Sequence, residues 1–586
     1  MFNRIPFSGT QRGLVIAIDI GTTYSGVSFS VLDPGVVPEI KTVTRFPAQL
    51  PGGASKIPSV LYYDSTGKVR AIGAETLLES TIEAAEEEKW HKVEWFKMHL
   101  RPKSGLTTKQ ISSLPPLKSL TEVFADFLRY MFSCAREFIE ETLLPDGAGF
   151  WASVKDRAIF VLSHPNGWEG PQQNYMRRAA VLGGLVDYAG AEKRIQFVTE
   201  GEASLHFCIN NGLTIKVRAE NEGIIIVDAG GGTIDLSAYS SSKSKDGNIL
   251  FEEVTQPECC FAGSIFVTEE SRIYFEDKLQ GSQFYSDVSK IAECFDQTTK
   301  LQFRDSGEPS YVRFGGVRDR DPALDIRSGQ MKIPGAVVAR FFEPSIKAIL
   351  QAIARQRSDS RKVVNTVFIV GGFAASPWLF SRLKEDLTAL GIEVYRPDTH
   401  VNKAVSDGAA SFYLDHFVKS RISRFSYGLK IWSPHEASNP EHQIRPRVLD
   451  SVTGEYMVEN IFRIILKKGV QVSEEQEFRA SFASSSTERF KFKSVNILRY
   501  IGANEEPSWI DLEPEMYSNS CTVSANASHI SSQLPVRRNP SGALYYDLEF
   551  DVVLLFGLTE LKAQIAWKKD GVEMRSPAAV VYEEKY

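Results

Sequence analysis

The chain has 586 residues, 43% hydrophobic and 24% charged, with 67 basic against 73 acidic side chains and a net charge of −6. That balance belongs to a folded soluble protein of several domains and excludes wholesale disorder, collagen-like repetition and a disulfide scaffold. The acidic net charge leaves no footprint for nucleic acid, and no stretch approaches the roughly 18 apolar residues of a membrane span.

Residues 1–12 read as a polar tail with no hydrophobic run for a signal peptide, so a cytoplasmic, reducing location is expected. Leu14 to Ile20 then forms an apolar strand. Gly21-Thr22-Thr23 is a tight turn, and Tyr24 to Leu32 a second strand. Helical patterns follow at Ala74–Trp90, Leu120–Leu143 and Gln172–Leu182, with a strand at Ala158–Leu162. Gly223 to Asp228 repeats the opening unit: apolar strand, then Ala229-Gly230-Gly231-Gly232-Thr233, then Ile234 to Tyr239. Asp19 and Asp228 close their strands alike, which marks an internal repeat of one supersecondary unit.

Helical patterns at 264–279, 287–303 and 335–356 come next. A strand at Val363–Val370, a Gly371-Gly372 turn and a helix from Pro377 to Leu390 complete this region. Alternating strands and helices predict an α/β fold with a mostly parallel sheet in two lobes. From about Arg421 short alternating runs replace helical periodicity: Phe462–Leu466, Phe478–Phe482, Ser494–Tyr500, Leu544–Leu555 and Glu560–Trp567. These predict a separate antiparallel β domain with no helical lid after it. The six cysteines show no CxxC spacing, and vicinal Cys259-Cys260 reads as buried packing. The nine histidines are scattered without ligand spacing.

Glycine turns let backbone N–H groups approach an anion closely and cradle phosphate oxygens. Flanking aspartates suit a hydrated Mg²⁺, which keeps most of its waters. A bare carboxylate at the end of an apolar strand is costly unless a cation or donors meet it.

IAIDIGTTYSGVSF at 16–29, IIIVDAGGGTIDLSAY at 224–239 and VFIVGGFAASPWLFSRLKEDL at 367–387 together resemble the two phosphate motifs and the adenosine motif of the actin-like ATPase superfamily. GTTYS and DAGGGTIDL resemble the heat shock protein 70 family within it. Trp95-Phe-Lys-Met98, Ser163-His-Pro-Asn-Gly-Trp168 and Val198-Thr-Glu-Gly-Glu-Ala-Ser204 resemble its divergent heat shock 70 kDa protein 12-like branch. The resemblance covers residues 13–417 and reaches the C-terminal region only faintly.

It implies a two-lobed actin-like nucleotide-binding domain of duplicated ribonuclease-H-like units at 13–417. Lobe I would span about 13–222 and lobe II about 223–400, followed by a C-terminal β domain at 421–586. By the same resemblance, Gly21, Thr22, Thr23 and Tyr24 would bind the phosphates of ATP or ADP from one side, and Gly230, Gly231, Gly232 and Thr233 from the other. Asp19 and Asp228 would hold the Mg²⁺ shell, Lys97 would stabilise the moving phosphoryl group, and Glu200 would orient water. Asp228 and Thr233 would share in catalysis, Pro165 would be a switch proline, and Gly371, Gly372, Phe373 and Lys300 would line the adenosine side. All of this is positioning and electrostatics, which is what phosphoryl transfer asks of a protein.

Departures from the family pattern are informative. Phe373-Ala374-Ala375-Ser376 stands where the family has an adenine-stacking arginine, the upstream helix keeps only Asp296-Gln-Thr-Thr-Lys300, and Gly201 replaces a proline. Phe417-Val-Lys-Ser-Arg-Ile-Ser-Arg-Phe425 replaces the acidic-hydrophobic linker. The resemblance implies a slow ATPase whose nucleotide state controls the binding of unfolded or extended protein segments, with possible co-chaperones. A nucleotide-sensing scaffold or interaction protein with little or no turnover is the alternative. No nucleic-acid or membrane partner is expected.

Overall fold

Leu14 to Asp19 is buried throughout, the mark of a strand covered on both faces. It forms β1 (Gly13–Asp19) and turns back antiparallel into β2 (Tyr24–Leu32), with Asp19 opposite Gly26. A short strand, β3 (Lys56–Pro58), lies antiparallel to β2. On the other side β1 pairs in parallel with β4 (Ile159–His164), which pairs in parallel with β5 (Ile195–Thr199). The chain is seen here in a computed structural model that describes residues 4–49, 55–101, 113–142, 147–168, 170–213, 222–243, 249–397, 401–531, 533–557, 560–569 and 571–576.

A second sheet repeats the scheme. β6 (Gly223–Ala229) turns back into β7 (Ile234–Lys243) with Asp228 opposite Asp235. β8 (Glu258–Cys260) pairs with β7, setting Cys259 opposite Asp235, and β9 (Val364–Val370) runs parallel to β6. Helix α1 (Leu120–Thr142) covers the first sheet, and its Val123, Phe127, Leu128 and Met131 share one core with Ile16, Ile18 and Phe160. Two further helices are α2 (Glu200–Cys208) and α3 (Ser264–Lys278). α4 (Gly335–Asp359) covers the second sheet, its Val338, Phe342, Ile346 and Ile349 sharing one core with Ile225 and Val227. α5 (Pro377–Thr388) starts at Ser376, whose hydroxyl accepts from the Leu379 N–H. α6 (Ala404–Asp415) crosses α2 at Gly408, where a side chain would collide with the Ala203 carbonyl. It is tied to the first sheet by Ser28 and Thr42 donating to Asp407 at 2.6 and 2.8 Å.

The chain divides into two compact units, residues 1–168 with 175–418, and 169–174 with 419–586. The strands named above belong to the first. The second carries two antiparallel sheets. One has the order Val448–Leu449, Tyr456–Leu466, Ser426–Pro434, Phe492–Tyr500, Tyr517–Asn526. The other has the order Glu477–Ser486, Leu544–Gly557, Glu560–Lys569, Val572–Arg575. Their apolar faces meet through Ile497, Val523, Val552, Leu554 and Ile565.

Four elements differ from the sequence expectation, and the sheets expected to be mostly parallel are mixed, because each glycine turn folds its strand back antiparallel. The helix expected over Ala74–Trp90 is broken at Leu78, whose extended backbone separates a 3₁₀ turn (Gly73–Leu77) from a helix of Glu79–Glu87. The helix expected over 287–303 passes through a π stretch at Phe295–Thr299, a local widening often found at functional sites. Strands Ser426–Pro434 and Tyr517–Asn526 were not foreseen. In the latter, Cys521, Val523 and Ala525 alternate inward beneath a composition of Ser and Asn that reads as turn. Among the described residues no helix is long and apolar enough to cross a membrane.

Candidate functional site

The two glycine turns touch. A Cβ on Gly231 would meet Thr23 Oγ1 at 2.2 Å, and one on Gly232 would meet Thr22 Oγ1 at 2.5 Å, so only glycine permits the approach. Thr22 and Thr233 are buried while Tyr24 is half exposed. The Gly230 N–H donates to the Thr233 carbonyl at 2.9 Å, closing the second turn. The first residues of α3 brace that turn from behind, with Ser264 N donating to Gly230 O at 3.1 Å and Ile265 N to Gly231 O at 2.9 Å. Gly371, at φ +93°, comes so close that a Cβ would stand 2.3 Å from Asp228 Oδ1. The turns after β1, β6 and β9 therefore converge on one place.

Buried charge gathers there. Asp19 accepts from Ser163 Oγ at 2.8 Å on Oδ1 and from Lys56 Nζ at 2.8 Å on Oδ2. Burial works to raise its carboxyl, but Lys56 and Lys97 and these hydrogen bonds outweigh it and hold the group below its ordinary value. Lys97 lies in a 3₁₀ turn (Phe96–Leu100) entered through Trp95, whose left-handed backbone (φ 55°) turns the chain inward. Its ammonium group pairs with Glu200, 5.7 Å from the centre of the Trp168 ring. Burial pulls the Lys97 ammonium down, yet Glu200, Asp19 and Asp235 push it above its ordinary value, so it stays charged. Glu200 opens α2, which Thr199 caps by accepting from the Glu202 N–H at 3.2 Å. Its carboxyl is raised by burial and by Asp19, against the pull of Lys97.

Asp228 accepts from Ser204 Oγ at 2.7 Å and is pushed up to about 7 by burial, by Glu200 and by Asp19. Asp235, across the hairpin, accepts from the Asn166 N–H at 2.6 Å. Its Oδ2 is buried without a hydrogen-bond partner, and burial and Glu200 raise the group well above its ordinary value. Four carboxylates (Asp19, Glu200, Asp228, Asp235) thus face two ammonium groups (Lys56, Lys97). Burial and mutual repulsion raise Glu200, Asp228 and Asp235, which marks a cluster short of positive charge; a divalent cation would bring that charge, so the residues fit one. Among the described residues no three His, Cys, Asp or Glu side chains converge as direct metal ligands.

Asn166 joins the sheets. Its side chain donates to Leu236 O at 3.0 Å, Ser237 Oγ at 3.1 Å and Glu258 O at 3.2 Å, and accepts from the Gly201 N–H at 3.2 Å. Pro165, just before it, is buried.

On the side expected for the adenosine, Gly372 is exposed, with nothing within 4 Å of where a Cβ would stand. Phe373 turns into the core, stacked on Phe342 at 6.1 Å between ring centres, so its ring does not face the turn. Lys300 is buried and committed to Asp296, to Thr268 Oγ1 at 3.2 Å and to the Ser264 carbonyl at 3.4 Å.

Sequence reading missed Lys56, Asn166 and Asp235. Only Asp235 left a signal: it faces Asp228 once the hairpin is paired about its glycine turn. The other two arrive through pairings that no local pattern announces.

No family model matches the chain. It is 24% identical to heat shock 70 kDa protein 12B of Homo sapiens, with 71% of each chain covered. It is 25% identical to heat shock 70 kDa protein 12A of Mus musculus, with 75% of each covered. Against heat shock 70 kDa protein 12A of Homo sapiens the identity is 23%, with 74% of each covered.

Proposed function

The chain is a divergent relative of the heat shock 70 kDa protein 12 proteins, and we propose that it binds ATP with Mg²⁺, hydrolyses it slowly and uses nucleotide state to control the binding of protein segments. The observation that carries this reading is the contact of two glycine turns over a buried cluster of Asp19, Lys97, Glu200, Asp228 and Asp235. Backbone N–H groups of Gly21 to Tyr24 and of Gly230 to Thr233 would cradle the phosphates from two sides, as duplicated ribonuclease-H-like lobes do.

Asp19 and Asp228 would hold magnesium through water. Bound there, the ion supplies positive charge to the phosphate oxygens and relieves the crowding that raises Asp228. Lys97, kept charged by three carboxylates, would meet the charge that develops on the transferred phosphoryl group. Glu200, at the start of α2, would orient the attacking water. The Gly371–Gly372 turn would meet the nucleoside by its backbone, since Phe373 and Lys300 are engaged elsewhere. The second unit, with its open antiparallel sheets, would bind an extended segment along a sheet edge. Six free cysteines suit a reducing, cytoplasmic setting.

The second reading, a nucleotide-sensing scaffold without turnover, draws on two observations: no arginine stands in the Phe373–Ser376 run after the glycine pair, and Lys300 is tied down by Asp296. Thermal unfolding with Mg-ATP, Mg-ADP and Mg-GTP, with phosphate release followed in the same samples, separates the two. A ligand at a hundred times its dissociation constant adds about 2.7 kcal/mol. Stabilisation with release supports the ATPase, and stabilisation without release the sensor. Absence of any shift, or a shift retained in Gly231→Val, overturns the phosphate cradle.

A further inference from the structure

Strand β3 brings Lys56 to the same centre. Lys56 stands opposite Gly26 of β2, where a Cβ would come within 3.2 Å of the lysine stem, so the glycine makes room for it. The residues after β3 are stitched to the first glycine turn: Ser59 N donates to Thr23 O at 2.8 Å, and Ser59 Oγ to Gly21 O at 2.8 Å. Ser25 and Ser59 share a further hydrogen bond of 2.8 Å. The lysine is thus fixed by the backbone that shapes the turn. Its side chain is 15% exposed, with Nζ 2.8 Å from Asp19 Oδ2, while Lys97 is held by Glu200.

With Lys56 on Asp19 Oδ2 and Ser163 on Oδ1, the water shell of a metal at Asp19 would have to share or displace the ammonium group, so the two cations compete there. A lysine is a compact point charge able to turn its remaining N–H groups towards an incoming phosphate. We propose that Lys56 is a built-in counter-cation of the phosphate site, standing at Asp19 in place of a divalent metal and letting the site hold a nucleoside polyphosphate without one. The inference rests on the nucleotide-binding reading above and adds to it a relaxed metal requirement with a named cause.

Calorimetric titration of the full chain with ATP in excess EDTA and with Mg-ATP tests it. The wild type is expected to bind in both, with dissociation constants within about tenfold of each other, a difference of no more than about 1.4 kcal/mol. In Lys56→Gln the ratio of metal-free to Mg-bound constants should widen by at least about tenfold, the loss of one charge-assisted contact. Lys56→Arg, which keeps the charge, should hold the ratio near that of the wild type. A wild type that binds Mg-ATP but shows no binding in EDTA overturns the role of Lys56 and leaves the nucleotide reading standing. Absence of binding in both conditions overturns both. An unchanged ratio in Lys56→Gln also overturns the proposal. If that variant does not fold, the wild-type ratio and that of Lys56→Arg still decide, because a metal-dependent result in either refutes it.

Discussion

Asp228→Asn should make the nucleotide-free chain more stable at neutral pH, and the gain should vanish towards acid. In the folded chain the Asp228 carboxyl titrates at about 7 against an ordinary 3.8, with burial the main cause and Glu200 and Asp19 adding to it. A carboxyl raised on folding is protonated in the native state while its unfolded counterpart has already ionised. Its contribution is therefore intact below about pH 4, falls as pH rises to about 7, and is level above that. The whole shift corresponds to about 4 kcal/mol at 1.36 kcal/mol per tenfold, and the part between pH 5 and 7 to about 3 kcal/mol. Asparagine keeps an oxygen to accept from Ser204, now 2.7 Å away, and has no charge to bury. The measurement is urea unfolding of both proteins in EDTA at pH 5, 6, 7 and 8. The difference in stability in favour of the variant should grow by about 3 kcal/mol from pH 5 to 7 and then flatten. A constant difference across that range, or one that grows towards acid, would refute the claim that Asp228 is buried among like charges.

Two further substitutions probe the same centre. Lys97→Met strips the cation from Glu200 inside the fold, which should cost about 3–5 kcal/mol and abolish phosphate release; an unfolding midpoint equal to that of the wild type would place the pair in solvent. Gly201→Ala puts a Cβ 2.3 Å from Ser237 Oγ and 2.8 Å from Asn166 Oδ1, so it should lower stability by about 1–3 kcal/mol, with part of the loss restored by Ser237→Ala. An unaltered melting temperature in Gly201→Ala would show that the clamp around Asn166 yields easily.

The parts of this site that are contiguous in sequence were legible, and the parts assembled by pairing were not. Asp19 with Gly21 to Tyr24, and Asp228 with Gly230 to Thr233, are strand–turn units whose apolar runs and glycines state their own geometry. Lys97 and Glu200 were legible only through the family resemblance, since a lysine in an amphipathic stretch and a glutamate at a helix start have ordinary structural reasons to be there. A glycine at 201 in place of the family's proline suggests a looser turn on composition alone, since glycine has more freedom to lose. In the fold it is tightly enclosed, and the absence of a side chain is what lets Asn166 reach it. Phe373 follows the glycine pair, yet its ring goes to the core because Phe342 of α4 offers an apolar face. In the second unit, strands rich in Ser and Asn carry their inward residues too sparsely for alternation to stand out.

The choice between turnover and sensing comes down to one exchange of partners. Lys97 is paired with Glu200 in a buried setting, where separating the charges is expensive. For Lys97 to follow the moving phosphoryl group it has to give up that carboxylate, and Glu200 has to find another donor, for which an attacking water is suited. On the turnover reading, hydrolysis would begin by breaking a buried ion pair, and a slow rate would follow from the cost of that step. A sensor needs no such exchange: the phosphates would meet the glycine turns and Lys56 while Lys97 and Glu200 remain together. The two readings consequently differ in what Lys97→Met does to binding. If Lys97 leaves Glu200 for the phosphate, its removal weakens ATP binding as well as ending hydrolysis; if the pair persists, its removal lowers stability and leaves ATP affinity where it was.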